Sequence, residues 1–131
     1  MRLLLDTHVA LWSVAGVEQL PPRAKALLSD PEHAVFVSVV SLWEIAIKHA
    51  LSQRRIGRMP LSAHEARDHF TAAGFDLVEV TAAHALAVEG LPSLHADPFD
   101  RMLIAQALSE PMRLVSADAK MSGYGDLVLA V

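Results

Sequence analysis

A three-layer α/β/α sandwich around a mostly parallel sheet of four or five strands is what this sequence predicts, on three observations. Short apolar or β-branched runs recur at residues 2–5, 34–38, 76–80 and 113–116, with a fifth candidate edge strand at 127–131. Segments of helical spacing lie between them. Helix-starting residues (Asp, Thr, Ser, Pro) and helix-stopping glycines mark most of the changes of type. Strands alternating with helices pair in parallel through right-handed crossovers, which covers both faces of the sheet with helices.

Taken in order, Leu3-Leu4-Leu5 suits a central strand buried on both faces, and Asp6-Thr7 ends it. A helix over 8–15 follows, with Asp6 or Thr7 as N-cap and Gly16 as its stop, and Pro21-Pro22 opens a second helix running to Leu28. Ala-Val-Phe-Val-Ser at 34–38 is the second strand. From Val39 to about Gln53 the apolar positions Leu42, Trp43, Ile45, Ala46 and Ala50, with His49, form one broad helical face. Arg54, Arg55 and Arg58, with Gly57 and Pro60, read as a basic loop. Ser62 and Glu65 have capping-box spacing before a helix closed by Gly74. Residues 81–89 form another helix stopped by Gly90, and Asp97 with Pro98 opens the helix that continues through Leu108.

The 131 residues are expected to form a single domain, 1–131. A hydrophobic share of 53%, a charged share of 20% and no low-complexity tract exclude a disordered chain. Glu44 and Lys48 interrupt the richest apolar stretch before it reaches the ~18 residues of a membrane span. Only three leucines follow Met1-Arg2 before Asp6, so no secretory leader is expected. With no cysteine there is no disulfide framework, thiolate zinc site or cysteine nucleophile, which fits a cytoplasmic protein. The net charge of −4 disfavours a protein that coats nucleic acid with a basic surface.

In such sheets the carboxyl ends of the strands converge on one rim, and ligands bind there. Asp6 follows the first strand, and Glu44 sits on the second turn of the helix after the second. Asp97 and Asp100 open the helix before the fourth strand, and Asp118 comes two residues after that strand. Each has a plain alternative: Asp6 and Asp97 as helix caps, Asp118 as a turn residue, Glu44 as an i,i+4 partner of Lys48. If three or four of them meet, each pair about 4 Å apart repels by ~4 kcal/mol at an effective dielectric of ~20. Either their pKa values rise or a hard divalent cation sits among them, and all-oxygen ligands favour Mg²⁺ or Mn²⁺. Without a Gly-rich nucleotide loop, such a site points to metal-activated water attacking a phosphodiester.

Four blocks carry a resemblance: Leu3-Leu4-Leu5-Asp6-Thr7-His8; Ser41-Leu42-Trp43-Glu44-Ile45-Ala46-Ile47-Lys48; the run from His95 through Asp97-Pro98-Phe99-Asp100-Arg101 to Ala107; and Leu114-Val115-Ser116-Ala117-Asp118. In this order they resemble the signature blocks of PIN-domain proteins, specifically the VapC-like toxin branch, across essentially the whole chain. The resemblance implies a Mg²⁺- or Mn²⁺-dependent endoribonuclease, the toxin of a toxin–antitoxin pair. It places Asp6, Glu44, Asp97 and/or Asp100, and Asp118 around one or two metal ions. It also implies a homodimer and a small antitoxin. Ser116 stands where many relatives carry Thr, which keeps the hydroxyl.

Around this expected site, Thr7, Ser38, Ser41 and Ser116 either orient metal-bound water or phosphate, or cap the adjacent helices. Arg101 either contacts the scissile phosphate or braces a carboxylate. Arg54, Arg55 and Arg58 with Lys48 either grip RNA backbone, form a solvated loop, or meet an acidic antitoxin segment. His8 and His95 adjoin the acids, as modulators or as surface residues. Trp12, Trp43, Phe36 and Phe99 are assigned to the core in preference to base-stacking platforms. His64 and His69 are one residue too far apart for the metalloprotease pattern His-Glu-x-x-His. Two rivals stand beside the nuclease: a catalytically inactive protein-binding module on the same scaffold, and a receiver-type phosphoacceptor. The latter needs adjacent acids at the first strand end and a late lysine, whereas Asp6 stands alone and Lys120 follows Asp118.

Overall fold

The computed structural model describes residues 1–52 and 59–131. The candidate RNA-gripping residues Arg54, Arg55 and Arg58 lie outside the described residues. The chain runs β1 (Arg2–Leu5), α1 (Thr7–Ala15), α2 (Pro22–Ser29), β2 (Ala34–Ser38), α3 (Val39–Ser52), α4 (Ala63–Ala72), β3 (Asp76–Val78), α5 (Ala82–Glu89), α6 (Pro98–Ser109), β4 (Arg113–Ser116) and β5 (Val128–Ala130). Short 3₁₀ segments cover Val17–Gln19 and Ala119–Leu127.

The five strands form one sheet in the order β3-β2-β1-β4-β5, and every neighbouring pair is parallel. β1 is the central strand, as its three leucines require: Leu3 and Leu5 face one helical layer and Leu4 the other, and all three are fully buried. On the first side they meet Val9 and Ala10 of α1, Ala24 of α2 and Ala66 and Phe70 of α4. On the second they meet Leu103, Ile104 and Ala107 of α6 with Met121. α3 sends Ile45 to the first layer and Val40 to the second, so it straddles the rim of the sheet.

The local chemistry follows the residues. Asp6 caps α1 by accepting from the Val9 amide, and Ser62 and Glu65 form a reciprocal capping box on α4. Gly74, at φ +83°, takes the left-handed turn that leads from α4 to β3. β3 stops at Val78, two residues short of the expected strand, because β2 ends opposite it at Ser38. Thr81 then caps α5, and His84 closes that cap: its Nδ1 accepts from the Thr81 amide, and its Nε2 lies 2.6 Å from Glu110 Oε2. Among the described residues no helix is long and apolar enough to cross a membrane.

The strand order reverses at β1, with β2 on one flank and β4 on the other. The carboxyl ends of these three strands therefore open the crevice where ligands bind in sheets of this type.

Candidate metal centre

All five predicted acids lie in or beside that crevice. Asp6 is the first residue after β1 and is buried. Its carboxylate accepts from the Val9 amide at 2.9 Å and from the Ser116 hydroxyl at the end of β4. Glu44 is buried on the second turn of α3, with both carboxylate oxygens engaged. Thr7 Oγ1 donates to Oε1 at 2.8 Å, itself 2.9 Å from Ser41 Oγ, and Lys48 Nζ donates to Oε2 at 2.5 Å. Asp97 caps α6 through the Phe99 and Asp100 amides. Asp100, half-buried one turn later, accepts from His95 Nε2 at 2.6 Å. Asp118 follows β4; its amide donates to Ser116 Oγ, and its carboxylate comes within 3.9 Å of the same His95 nitrogen.

These contacts connect the acids into one set. Asp6 feels the charge of Asp118, His95 stands between Asp118 and Asp100, and Asp100 feels both Asp97 and Glu44. One of the two predicted consequences of crowding acids, a rise in pKa, is found at Asp6 and Asp100. Burial pushes the Asp6 carboxyl above its ordinary value, opposed by the hydrogen bonds from Ser116 and Val9, and the Asp118 charge adds to the rise. Burial also raises Asp100, opposed by His95, and the charges of Asp97 and Glu44 add to it. The chain supplies counter-charge as well, through Lys48 on Glu44.

His95, Asp100 and Asp118 each present a ligand atom, and these three atoms lie within 4.8 Å of one another. Carboxylate oxygens with one imidazole and no thiolate form a donor set that suits a hard or borderline divalent ion, so the residues fit Mg²⁺ or Mn²⁺. The sequence offered His95 only as a neighbour of the acids. Its signal was its place two residues before the helix cap, where the turn into α6 aims it back across Asp100 toward Asp118.

The buried hydroxyls of Thr7 and Ser116 donate to the carboxylates of Glu44 and Asp6, and Ser116 Oγ also accepts from the Asp118 amide, so they orient these two side chains and the backbone at Asp118. The Arg101 guanidinium donates to the carbonyls of Val88, Pro92 and His95, bracing the segment that presents His95.

Of the aromatic residues assigned to the core, Trp12, Phe36 and Phe99 are partly buried against it, and Trp43 departs. Trp43 is 61% exposed and packs edge-on against Phe99, with ring centroids 5.0 Å apart. Because α3 straddles the rim, the positions it buries are Val40, Ser41, Glu44 and Ile45, and this turns Trp43, Ile47 and Leu51 outward as a stripe. Trp12 is half-buried and, with His8, Asp6, Ala117 and Asp118, lines a cavity of about 270 Å³ beside the acids.

Comparison with known proteins finds the same fold. Ribonuclease VapC22 of Mycobacterium tuberculosis (strain ATCC 25618 / H37Rv) is 28% identical over 126 residues, spanning 93% of this chain and 91% of that protein. The structure of VapBC2 from Rickettsia felis, bound to a DNA fragment from its promoter, superposes with a TM-score of 0.69 at 13% identity, over 100% of this chain and 98% of that one. A toxin–antitoxin complex from Klebsiella pneumoniae superposes with a TM-score of 0.62 at 16% identity, over 98% and 96%. The PIN domain family model matches residues 3–127, and this chain, with its acids gathered at the rim where β1, β2 and β4 end, belongs to the PIN domain family.

Proposed function

We propose that this protein is a Mg²⁺- or Mn²⁺-dependent endoribonuclease and the toxin of a toxin–antitoxin pair. The observation that carries the reading is the group of His95, Asp100 and Asp118 ligand atoms within 4.8 Å of one another, with Asp6 and Glu44 buried at neighbouring strand and helix ends. Likeness to a protein named as a ribonuclease supports the choice of RNA as substrate.

In this reading the five acids hold one or two ions, with His95 beside Asp100 and Asp118. The ion supplies Lewis acidity toward the phosphate and lowers the pKa of a water molecule. The chain's own residues prepare that chemistry. Ser116 and the Val9 amide fix the Asp6 carboxylate, Thr7 fixes Glu44, and Asp97 holds the first turn of α6 so that Asp100 faces the rim. One of the five acids would also take the proton released from the attacking water. Arg101 acts by positioning the His95 segment.

The exposed stripe of Trp43, Ile47 and Leu51 supports association with protein, as an antitoxin segment or a second copy of the chain. It equally favours the second reading, an inactive protein-binding module on the PIN scaffold. Incubation of the purified protein with RNA separates the two. The nuclease reading expects cleavage with Mg²⁺ or Mn²⁺, none with chelator, and none from Asp6→Asn. Absence of cleavage with either metal, in preparations shown to be folded, favours the binding module.

A further inference from the structure

We propose that the cavity beside Asp6 and Asp118 is a nucleobase subsite, in which the base of a nucleotide adjoining the scissile phosphate rests on Trp12 with His8 at its edge. This rests on the nuclease reading for the position of the phosphate, and on the cavity itself for the base.

The cavity, about 270 Å³, is lined by Asp6, His8, Trp12, Ala117 and Asp118, so two acids and two aromatic rings share it. His8 and Trp12 are four residues apart on α1, one helical turn, so they project from the same face. Their ring centroids lie 5.9 Å apart with the planes tilted by 44°. The helix that carries them is capped by Asp6 itself, so the rings are held in fixed register with the carboxylate.

The chemistry of this mixed lining selects the occupant. A ligand that was only a phosphate would be repelled by the carboxylates without an ion and would gain nothing from the rings. A nucleotide uses both: its phosphate goes toward the acids and their ion, and its flat base stacks on an aromatic face one sugar away. Base–aromatic stacking is sequence-tolerant and depends on an unpaired base, which makes single-stranded RNA the fitting substrate form. Trp12 is only partly enclosed by the core, so some of its surface remains for this contact.

The test pairs a protein change with a substrate change. An oligoribonucleotide whose cut site has been mapped is compared with versions made abasic on either side of the cleaved bond. Trp12→Ala is expected to lower kcat/KM about 10-fold or more on the intact oligonucleotide. One of the abasic versions should cost the wild-type protein a similar factor and cost Trp12→Ala little further, the non-additivity of two groups in contact. Trp12→Phe should restore most of the loss. Additive losses in Trp12→Ala with both abasic versions would mean a structural role and overturn the subsite.

A second readout needs no cleavage. The chain has two tryptophans, so in a Trp43→Phe background the emission reports Trp12 alone. Titration with the same oligonucleotide in Ca²⁺ should quench it, and the abasic version should not. Quenching without cleavage in Mg²⁺ or Mn²⁺ keeps the subsite and rejects the nuclease; cleavage with neither quenching nor coupling rejects the subsite alone.

Discussion

Lys48 Nζ sits 2.5 Å from Glu44 Oε2, so a half-exposed lysine places its positive charge on a buried carboxylate of the candidate site. On a helix surface such an i,i+4 pair is worth a few tenths of a kcal/mol. Here one partner is almost wholly out of water and belongs to a crowd of acids, so the ammonium also balances charge that an ion would otherwise balance.

Lys48→Met should therefore destabilise the metal-free protein by about 1–2 kcal/mol, between the cost of losing an exposed pair and that of stranding a buried charge. Millimolar Mn²⁺ should recover most of it. Thermal unfolding with and without metal measures both; an equal deficit in the two conditions would show that Lys48 acts on the helix alone.

Asp6→Asn should stabilise the metal-free protein at neutral pH. Asn still caps α1 and still accepts from Ser116, but it carries no charge to bury. Because the folded-state pKa of Asp6 is raised, its stabilising contribution is complete below the ordinary value of 3.8 and is lost as pH rises through the folded value. The Asn advantage, of the order of 1 kcal/mol or roughly 3–5 °C at pH 7, should close as pH falls toward 3.8. A gain of the same size at both pH values would remove burial of the charge as its cause.

His95→Ala should weaken Mn²⁺ binding by roughly 10- to 100-fold, the loss usual when a ligand or its immediate partner is removed. Manganese EPR titration gives the affinity directly. Tighter binding in the variant would instead identify the imidazole as a competitor for Asp100 and Asp118.

Arg101→Ala removes three hydrogen bonds, and of their carbonyls Pro92 keeps the Tyr124 hydroxyl and Val88 the Leu91 amide, so it should cost about 1–2 kcal/mol in urea unfolding. Arg101→Lys should recover little, since an ammonium cannot span the three as the guanidinium does. The salt dependence of RNA binding should be the same in both variants as in the wild type. A shallower salt slope would return Arg101 to the phosphate-contacting role that its sequence position suggests.

Much of this arrangement was legible in the chain. The alternation of runs and caps predicted β1 to β5 and α1 to α6, though not the 3₁₀ turn at Val17–Gln19, because a run such as Leu3-Leu4-Leu5 suits a buried central strand and Asp97-Pro98 opens a helix. That Asp6 and Asp118 lie near one another followed from strand ends sharing a rim. The face of α3 was not legible: with Leu42, Trp43, Ile45, Ala46 and Ile47 apolar nearly all round, periodicity could not say which side met the sheet. Burial of Glu44 decided it, and Trp43 turned outward. The second roles were hidden for a different reason. Thr7, Ser116 and Asp97 are caps or turn residues locally and supports for the acids in space, and only the tertiary path brings His95 to Asp118.

Manganese titration of the wild-type protein beside Asp6→Asn, Glu44→Gln and Asp118→Asn tests most directly whether these distant acids share one ion. Each substitution, made in a separate stretch of sequence, should on its own reduce Mn²⁺ affinity by at least 10-fold while the protein stays folded. Wild-type affinity in any one of the three would show that its carboxylate stands apart from the ion, contradicting a single shared centre.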